Sequence, residues 1–276
     1  MPRLFAVAIL LLTAANLQAQ YYYQDILTPQ NTSRNYQLLR RAGITRVVAQ
    51  AHDADGTPTE NFSIEQEIKK SSNELVTRSY SDITGSSFMV TTFNQIGLPT
   101  MVTDSANNIV NQIMYNYNAK GSLMSITSYS FEPNFRDTLV ETRTYIYKDN
   151  QPVSMIKVKT GGDTTEVRFL PDENGKPGTE QWWKKGRKLE TWYYYYDKAG
   201  NLTDVVRYND RANRMLPDYT FEYNAQGQLT QQIIFKSGSN QYRIWQFAYD
   251  NRGLRTSETV MNKQRQPEGR IVYQYQ

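Results

Sequence analysis

The chain has 276 residues, with 31 basic and 27 acidic side chains and a formal net charge of +4, too weak a balance to mark a nucleic-acid binder. Its hydrophobic share of 39% leans on 21 tyrosines; counted without Tyr and with Gly it is about 37%, below the ~45–50% usual for that set, which excludes a large aliphatic core. Charged residues at 21% and aromatics at 13% exclude a disordered tail, and the absence of cysteine excludes disulfides, thiolate metal sites and a lipid-modified N-terminal cysteine.

Residues 1–19 carry Arg3, an apolar run from Leu4 to Leu12 and a polar stretch ending in Leu17-Gln18-Ala19. That order is a secretory signal peptide, and the run is too short to anchor a mature chain in a bilayer. Cleavage after Ala19 leaves Gln20 first, and residues 20–276 are expected to form a single β domain, its repeats clearest over 90–276. Asn31-Thr32-Ser33 reads as a capping cluster before Tyr36–Ala42, with Gly43 as the stop, so one short N-terminal helix is expected. Ile44–His52 alternates toward Asp53-Ala54-Asp55-Gly56, a degenerate first turn with His52 in an aromatic place. Phe62–Ile68 and Glu74–Tyr80 follow as strands joined by Lys69–Asn73.

From there one phrase recurs: aromatic, any residue, aromatic, Asn or Asp, two residues, Gly, then an apolar residue. It runs Tyr115, Tyr117, Asn118, Gly121, Leu123; then Tyr194, Tyr196, Asp197, Gly200, Leu202. It returns as Phe221, Tyr223, Asn224, Gly227, Leu229 and as Phe247, Tyr249, Asp250, Gly253, Leu254. Weaker copies centre on Phe93-Asn94, Tyr147-Lys148 and Asn174-Gly175, and the chain stops on Tyr273-Gln274-Tyr275-Gln276. Adjacent turn glycines lie 24 to 27 residues apart, room for two strands, so each unit is a β-hairpin. Asn or Asp suits the first place of a type I turn and Gly the fourth, where a positive φ closes the hairpin; Gly121, Gly200, Gly227 and Gly253 are the structural turn residues. A period of two puts both rings of each pair on one face. The same parity carries on through Leu202, Val206 and Tyr208, and through Leu229, Ile233 and Phe235. The fold expected is all-β: an antiparallel meander of repeated hairpins forming an open, curled sheet with one aromatic face.

Tyr196-Asp197-Lys198-Ala199-Gly200-Asn201-Leu202 and Tyr249-Asp250-Asn251-Arg252-Gly253-Leu254 resemble the YD or RHS repeat of bacterial secreted and cell-surface proteins. In long members of that family the resemblance implies dozens of repeats spiralling into a closed shell around a toxin. Seven or eight hairpins are not expected to close, and the chain shows neither an autoproteolytic segment nor a toxin domain.

The side chains of chemical interest are few. His52 is the only histidine, and its place in the repeat makes it a substituted aromatic. Asp53-Ala54-Asp55-Gly56 and Asp172-Glu173-Asn174-Gly175 fail the calcium-loop spacing, so turn chemistry explains them. No acid and base pair for sugar hydrolysis stands out. Asp104-Ser105-Ala106, Asp137-Thr138-Leu139 and Asp163-Thr164-Thr165 resemble an O-glycan acceptor motif of secreted proteins. Lys184-Lys185-Gly186-Arg187-Lys188 is a basic hairpin tip between tryptophans. Trp182, Trp183, Trp192 and Trp245 are the candidate ligand-contact aromatics, core rings otherwise. These residues point to an exported, non-enzymatic binding or scaffolding module of the cell envelope. It would carry no cofactor, metal or nucleic acid, and no membrane span once mature; its partner would be a glycan, an envelope protein or a second copy. A small carboxylate-dependent hydrolase is one alternative. An outer-membrane β-barrel is the other, against which the mean hydropathy of −0.68 and the strand residues Glu222 and Arg243 weigh.

Overall fold

A computed structural model describes residues 21–134, 138–209, 212–236 and 239–276. The leader, and Asp137 of one acceptor motif, lie outside these residues. One helix, α1 (Gln24–Arg41), precedes eighteen strands. They are β1 Arg46–Asp53, β2 Ser63–Lys69, β3 Glu74–Ser81, β4 Gly85–Phe93, β5 Pro99–Ala106, β6 Ile109–Tyr117, β7 Leu123–Phe131, β8 Thr138–Lys148 and β9 Gln151–Lys159. The second half continues with β10 Thr164–Pro171, β11 Pro177–Lys184, β12 Arg187–Tyr196, β13 Leu202–Asn209, β14 Arg214–Tyr223, β15 Leu229–Phe235, β16 Tyr242–Tyr249, β17 Arg255–Met261 and β18 Pro267–Tyr275.

Each strand pairs antiparallel with the next, and β1 pairs with both β2 and β18. The ring is therefore closed. This corrects the open, curled sheet: Tyr273 and Tyr275, which have no turn after them, pair with Ala49 and Val47 of β1. Closure needs no family-scale array of repeats, because eighteen strands are enough to curl a twisted sheet back on itself and leave no edge. Closure is also the property that separates the barrel alternative from the open sheet.

A ring this wide is not filled by wall side chains alone, since barrels of 16–18 strands leave a channel. Here α1 lies in the lumen, a cylinder of ~10–12 Å across, and long aromatic side chains bridge from wall to helix. That is the physical reason for the tyrosine-rich composition. Ile26, Pro29, Ser33, Tyr36 and Leu39 are buried along the helix, at the three- and four-residue spacing of one face. Tyr22 and Ile26 pack with Ile126, Tyr145, Met155 and Val167, while Tyr36 and Leu39 pack with Val47, Ile68, Phe93 and Leu254. Tyr36 stacks on Phe93 with ring centroids 3.7 Å apart and planes at 2°.

The helix is longer than its local signals say. It begins two turns before the Asn31-Thr32-Ser33 cluster and runs through Pro29, which has no N–H to give to the preceding turn. Tertiary burial overrides both signals. At the other end Gly43 takes φ 74°, as a C-terminal stop requires.

The strong copies of the repeat share one turn chemistry. The Oδ1 atoms of Asn118, Asn224 and Asp250 each accept the backbone N–H groups two and four residues on, at 2.9–3.1 Å. Gly121, Gly200, Gly227 and Gly253 take φ of 81°, 84°, 74° and 84°. A Cβ on Gly227 would meet only Asn201 Oδ1, 4.0 Å away, whereas one on Gly200 would lie 2.0 Å from Lys176 Nζ. Gly227→Ala is thus expected to cost about 1–2 kcal/mol from φ alone, and Gly200→Ala more, because Lys176 must also leave its bond to the Gly200 carbonyl. Equal midpoints in urea unfolding for the two variants would contradict this. Asn262 forms the same turn with Arg265 at φ 60° in the glycine's place, so the sequence pattern passed over it. At Lys148–Gln151 the turn is instead a two-residue hairpin with Asp149 and Asn150 at φ 51° and 62°.

Each such turn ends in a β-bulge, and the bulge changes the side-chain parity. Tyr196 pairs with Leu202 but Tyr195 pairs with Asp204, leaving Thr203 as the extra residue. Leu202 and Val205 therefore share the inner face, and Val206 pairs with Tyr193 on the outer one. Likewise Ile234, not Ile233, sits opposite Tyr219. This corrects the expectation that Leu202, Val206 and Tyr208, or Leu229, Ile233 and Phe235, line one face.

The second aromatic of each pair has its own reason to be Tyr. Tyr117 donates its hydroxyl to the Pro99 carbonyl, Tyr196 to Pro177, Tyr223 to Leu202, Tyr249 to Leu229 and Tyr275 to Arg255, at 2.6–3.0 Å. Every acceptor lies just past the preceding turn, so the repeats are latched one to the next. Tyr249→Phe keeps the ring and removes the latch; thermal or urea unfolding is expected to show a loss of about 1 kcal/mol, and no loss would remove the latch from the account.

Candidate functional site in the barrel lumen

Glu180 on β11 is wholly buried in the lumen and is the polar centre of the molecule. Its Oε1 and Oε2 accept the Tyr22 and Tyr23 backbone N–H groups, both at 2.8 Å. Two wall side chains complete the set: Trp182 Nε1 at 2.5 Å and the Tyr194 hydroxyl at 2.6 Å. Tyr23, the residue before α1, has no side-chain cap of its own. Glu180 thus caps the helix from across the lumen, at its electropositive end. Burial pushes the Glu180 carboxyl up to about 7, against the four donors that pull it down.

One turn on, Asp25 meets Arg143 of β8 at 2.7 Å and accepts the Tyr145 hydroxyl at 2.7 Å. Arg143 also binds Glu141, and the Lys157 amine reaches the Tyr22 hydroxyl. On the far side of the tryptophans Arg207 lies 4.2 Å over the Trp192 ring and pairs with Asp218 at 2.6 Å and with Glu190. The first turn of the plug is therefore fixed by a band of charged groups, and the last turn by apolar contacts with Arg40 reaching Asn73. Sequence reasoning missed Glu180, Asp25 and Arg143; only an acidic residue between inward-facing aromatics marked the first.

The four tryptophans do not form one patch. Trp182 and Trp192 are lumenal neighbours, 6.1 Å apart, against Tyr22 and Tyr21. Trp192 has no exposed surface. Trp245, 7% exposed, lies on β16 opposite Gln232 and Val260. Trp183 faces outward, opposite Glu166 of β10 and under the Arg168 guanidinium at 4.6 Å. His52 sits on β1 opposite Arg270, in the place next to the inward Ala51. Among the described residues no group of three or more His, Cys, Asp or Glu could hold a metal ion. Ser105 and Thr164 of the acceptor motifs lie within β5 and at the start of β10.

The outer wall is of two kinds. On β1–β3 and β10 it carries ion pairs, Arg46 with Glu65, Arg78 with Glu67 and Arg168 with Glu166. Across β4–β9 its cross-strand rows are uncharged: Val90, Thr103, Gln112, Tyr129, Val140 in one and Thr92, Met101, Met114, Thr127, Thr142, Val158 in the next.

Compared with solved structures, the chain is similar to a porin-like protein from Bacteroides uniformis, at 11% identity over 84% of this chain and 98% of that one, with a TM-score of 0.43. It is also similar to a chain of the Photorhabdus luminescens Tc holotoxin pore, at 13% identity and a TM-score of 0.35 over 78% of this chain. A TcdB2-TccC3-Cdc42 structure matches at 13% identity and a TM-score of 0.35 over 82% of this chain. The chain spans 12% and 14% of those two toxin chains. No family model and no curated protein matches the sequence.

Proposed function

We propose that the chain is a β-barrel of the cell envelope, held shut by its own N-terminal helix and acting as a binding or scaffolding module through its outer surface. The observation that carries this reading is the Glu180 cap: a closed ring whose lumen is occupied by a pinned helix presents only its outer wall and turns to partners. The leader-like start supports export, and the YD-type turns fit a surface-protein repeat. The ion pairs on β1–β3 and β10 suit a wall in water.

A second reading, the outer-membrane barrel, is favoured by ring closure and by the uncharged rows of β4–β9. Lipid contact along those six strands would leave the charged strands facing water or protein. Cell fractionation of the natural chain separates the two. The first reading expects recovery in the soluble envelope fraction and stability without detergent; the second expects retention in outer-membrane sheets after carbonate washing. Recovery from the cytoplasm with Met1 intact would overturn both.

A further inference from the structure

Outside the lumen, one cleft of about 550 Å³ opens on the barrel wall between the β9–β10 and β11–β12 hairpins. That volume suits a small ligand. Its lining is Gly161, Gly162, Asp163, Glu166, Trp183 and Lys185, with Gly186 at the rim. We propose that this cleft is a subsite for an acidic saccharide, a uronate-type sugar whose ring lies on Trp183 and whose carboxylate meets Lys185.

Three features of the cleft fit that chemistry. The Trp183 indole supplies an apolar surface, fixed in place by the Arg168 guanidinium 4.6 Å above it, and sugar C–H faces pack on such rings. Gly161 and Gly162, at φ 87° and 82° and with nothing within 4 Å of where a Cβ would stand, leave that side of the cleft without side chains, which makes room for a sugar ring beside the indole. The third feature is charge. Both carboxylates of the cleft are already paired, Asp163 with Lys184 at 2.8 Å and Glu166 with Arg168 at 2.7 Å. Lys185, the basic residue of the lining, has no ion-pair partner among the described residues, so the free charge at the cleft is positive. Lys185 is held at the lip by the two-residue turn it forms with Gly186, at φ 49° and 75°. A neutral sugar would leave the Lys185 amine unused, and a bare phosphate chain would leave the indole unused.

The inference adds a ligand class to the outer-surface reading above and is tested on purified protein, so its failure is distinct from a failure of the fractionation result. The full mature chain is titrated calorimetrically with an oligogalacturonate, a maltooligosaccharide of equal length and inorganic polyphosphate. Binding is expected for the oligogalacturonate alone, weakening with salt. Lys185→Asn keeps a residue that accepts positive φ, so it leaves the turn intact and is expected to weaken binding about tenfold, one ion contact's worth. Trp183→Ala is expected to abolish it, and Trp183→Phe, which keeps a ring against Arg168, to restore part of it. Equal binding of the neutral oligomer or of polyphosphate, or unchanged binding by folded Lys185→Asn and Trp183→Phe together with Trp183→Ala, would overturn the proposal, as would no binding at all.

Discussion

Raising the pH above 10 is expected to unfold the barrel in one cooperative step near pH 11, with most phenolate absorbance appearing in that step. Burial pushes Tyr115, Tyr147, Tyr223 and Tyr275 up to about 12, and holds Tyr21, Tyr145 and Tyr194 well above the ordinary phenol value. A folded-state pKa above the unfolded value of about 10 means that the folded chain holds its protons more tightly. The stabilisation is complete below pH 10 and is lost as pH climbs toward the folded values. Each such tyrosine withdraws about 1.4 kcal/mol per pH unit in that window. The four at about 12 alone withdraw roughly 5 kcal/mol by pH 11, the whole stability of a marginal domain, and the three buried deepest act in the same direction. Spectrophotometric titration beside circular dichroism checks this: gradual titration of most tyrosines near pH 10 with the fold intact would show that the rings are not the core.

Replacing Glu180 is expected to be the most damaging single change in the lumen. Glu180→Ala leaves the Tyr22 and Tyr23 N–H groups, the Trp182 indole and the Tyr194 hydroxyl without an acceptor in a dry site. A loss of about 3–5 kcal/mol is the usual consequence of breaking such a buried charged network. The same group sets the slope of stability between pH 5 and 8. Its folded value of about 7 lies above the 4.5 of a free glutamate, so its contribution is full below pH 4.5 and falls as pH rises through 7. The difference amounts to roughly 3 kcal/mol. Glu141, also on the inner face, is half-buried, but Arg143 and its neighbours hold it below the usual carboxylate range, so it stays charged across this window. Glu180→Gln is therefore expected to flatten the dependence of urea midpoints on pH from 5 to 8. A wild-type midpoint that does not fall across that range would refute the assignment.

Much of the wall was legible in the sequence, and for local reasons. Asn118, Asp197, Asn224 and Asp250 announce turns because the determinants are two or four residues apart. The strand read as Glu74–Tyr80, after the polar Lys69–Asn73 connection, is found as Glu74–Ser81. Three things were not legible. Ring closure depends on how β1 meets β18, and the alternation of Ile44–His52 marks a strand without naming its partner at the far end of the chain. The start of α1 was hidden because its cap is supplied by Glu180, 157 and 158 residues away, while Asn31-Thr32-Ser33 imitated a local one. The bulge after each turn moved Val206 and Ile233 outward, a one-residue effect that a strict period of two cannot register. At the sites, tryptophan identity was visible but the side of the wall was not, so Trp183 was grouped with Trp182 and Trp192, from which the wall divides it.

The seam between β1 and β18 also dictates an order of events. Thr45 and Gln276, 231 positions apart, join at its end, so the final pairing must wait for the last strand to be made. Because α1 lies inside the ring and leads into β1 through a short link, the strand that the helix leads into is one side of the seam that β18 closes. The last strand then shuts the helix in. Contacts this distant in sequence form slowly, and until they do the lumenal tyrosines stand open to solvent. Once formed, they close the wall around the helix, so the groups that hold it, Glu180 and Arg143, keep it at fixed positions on a wall that can no longer spread.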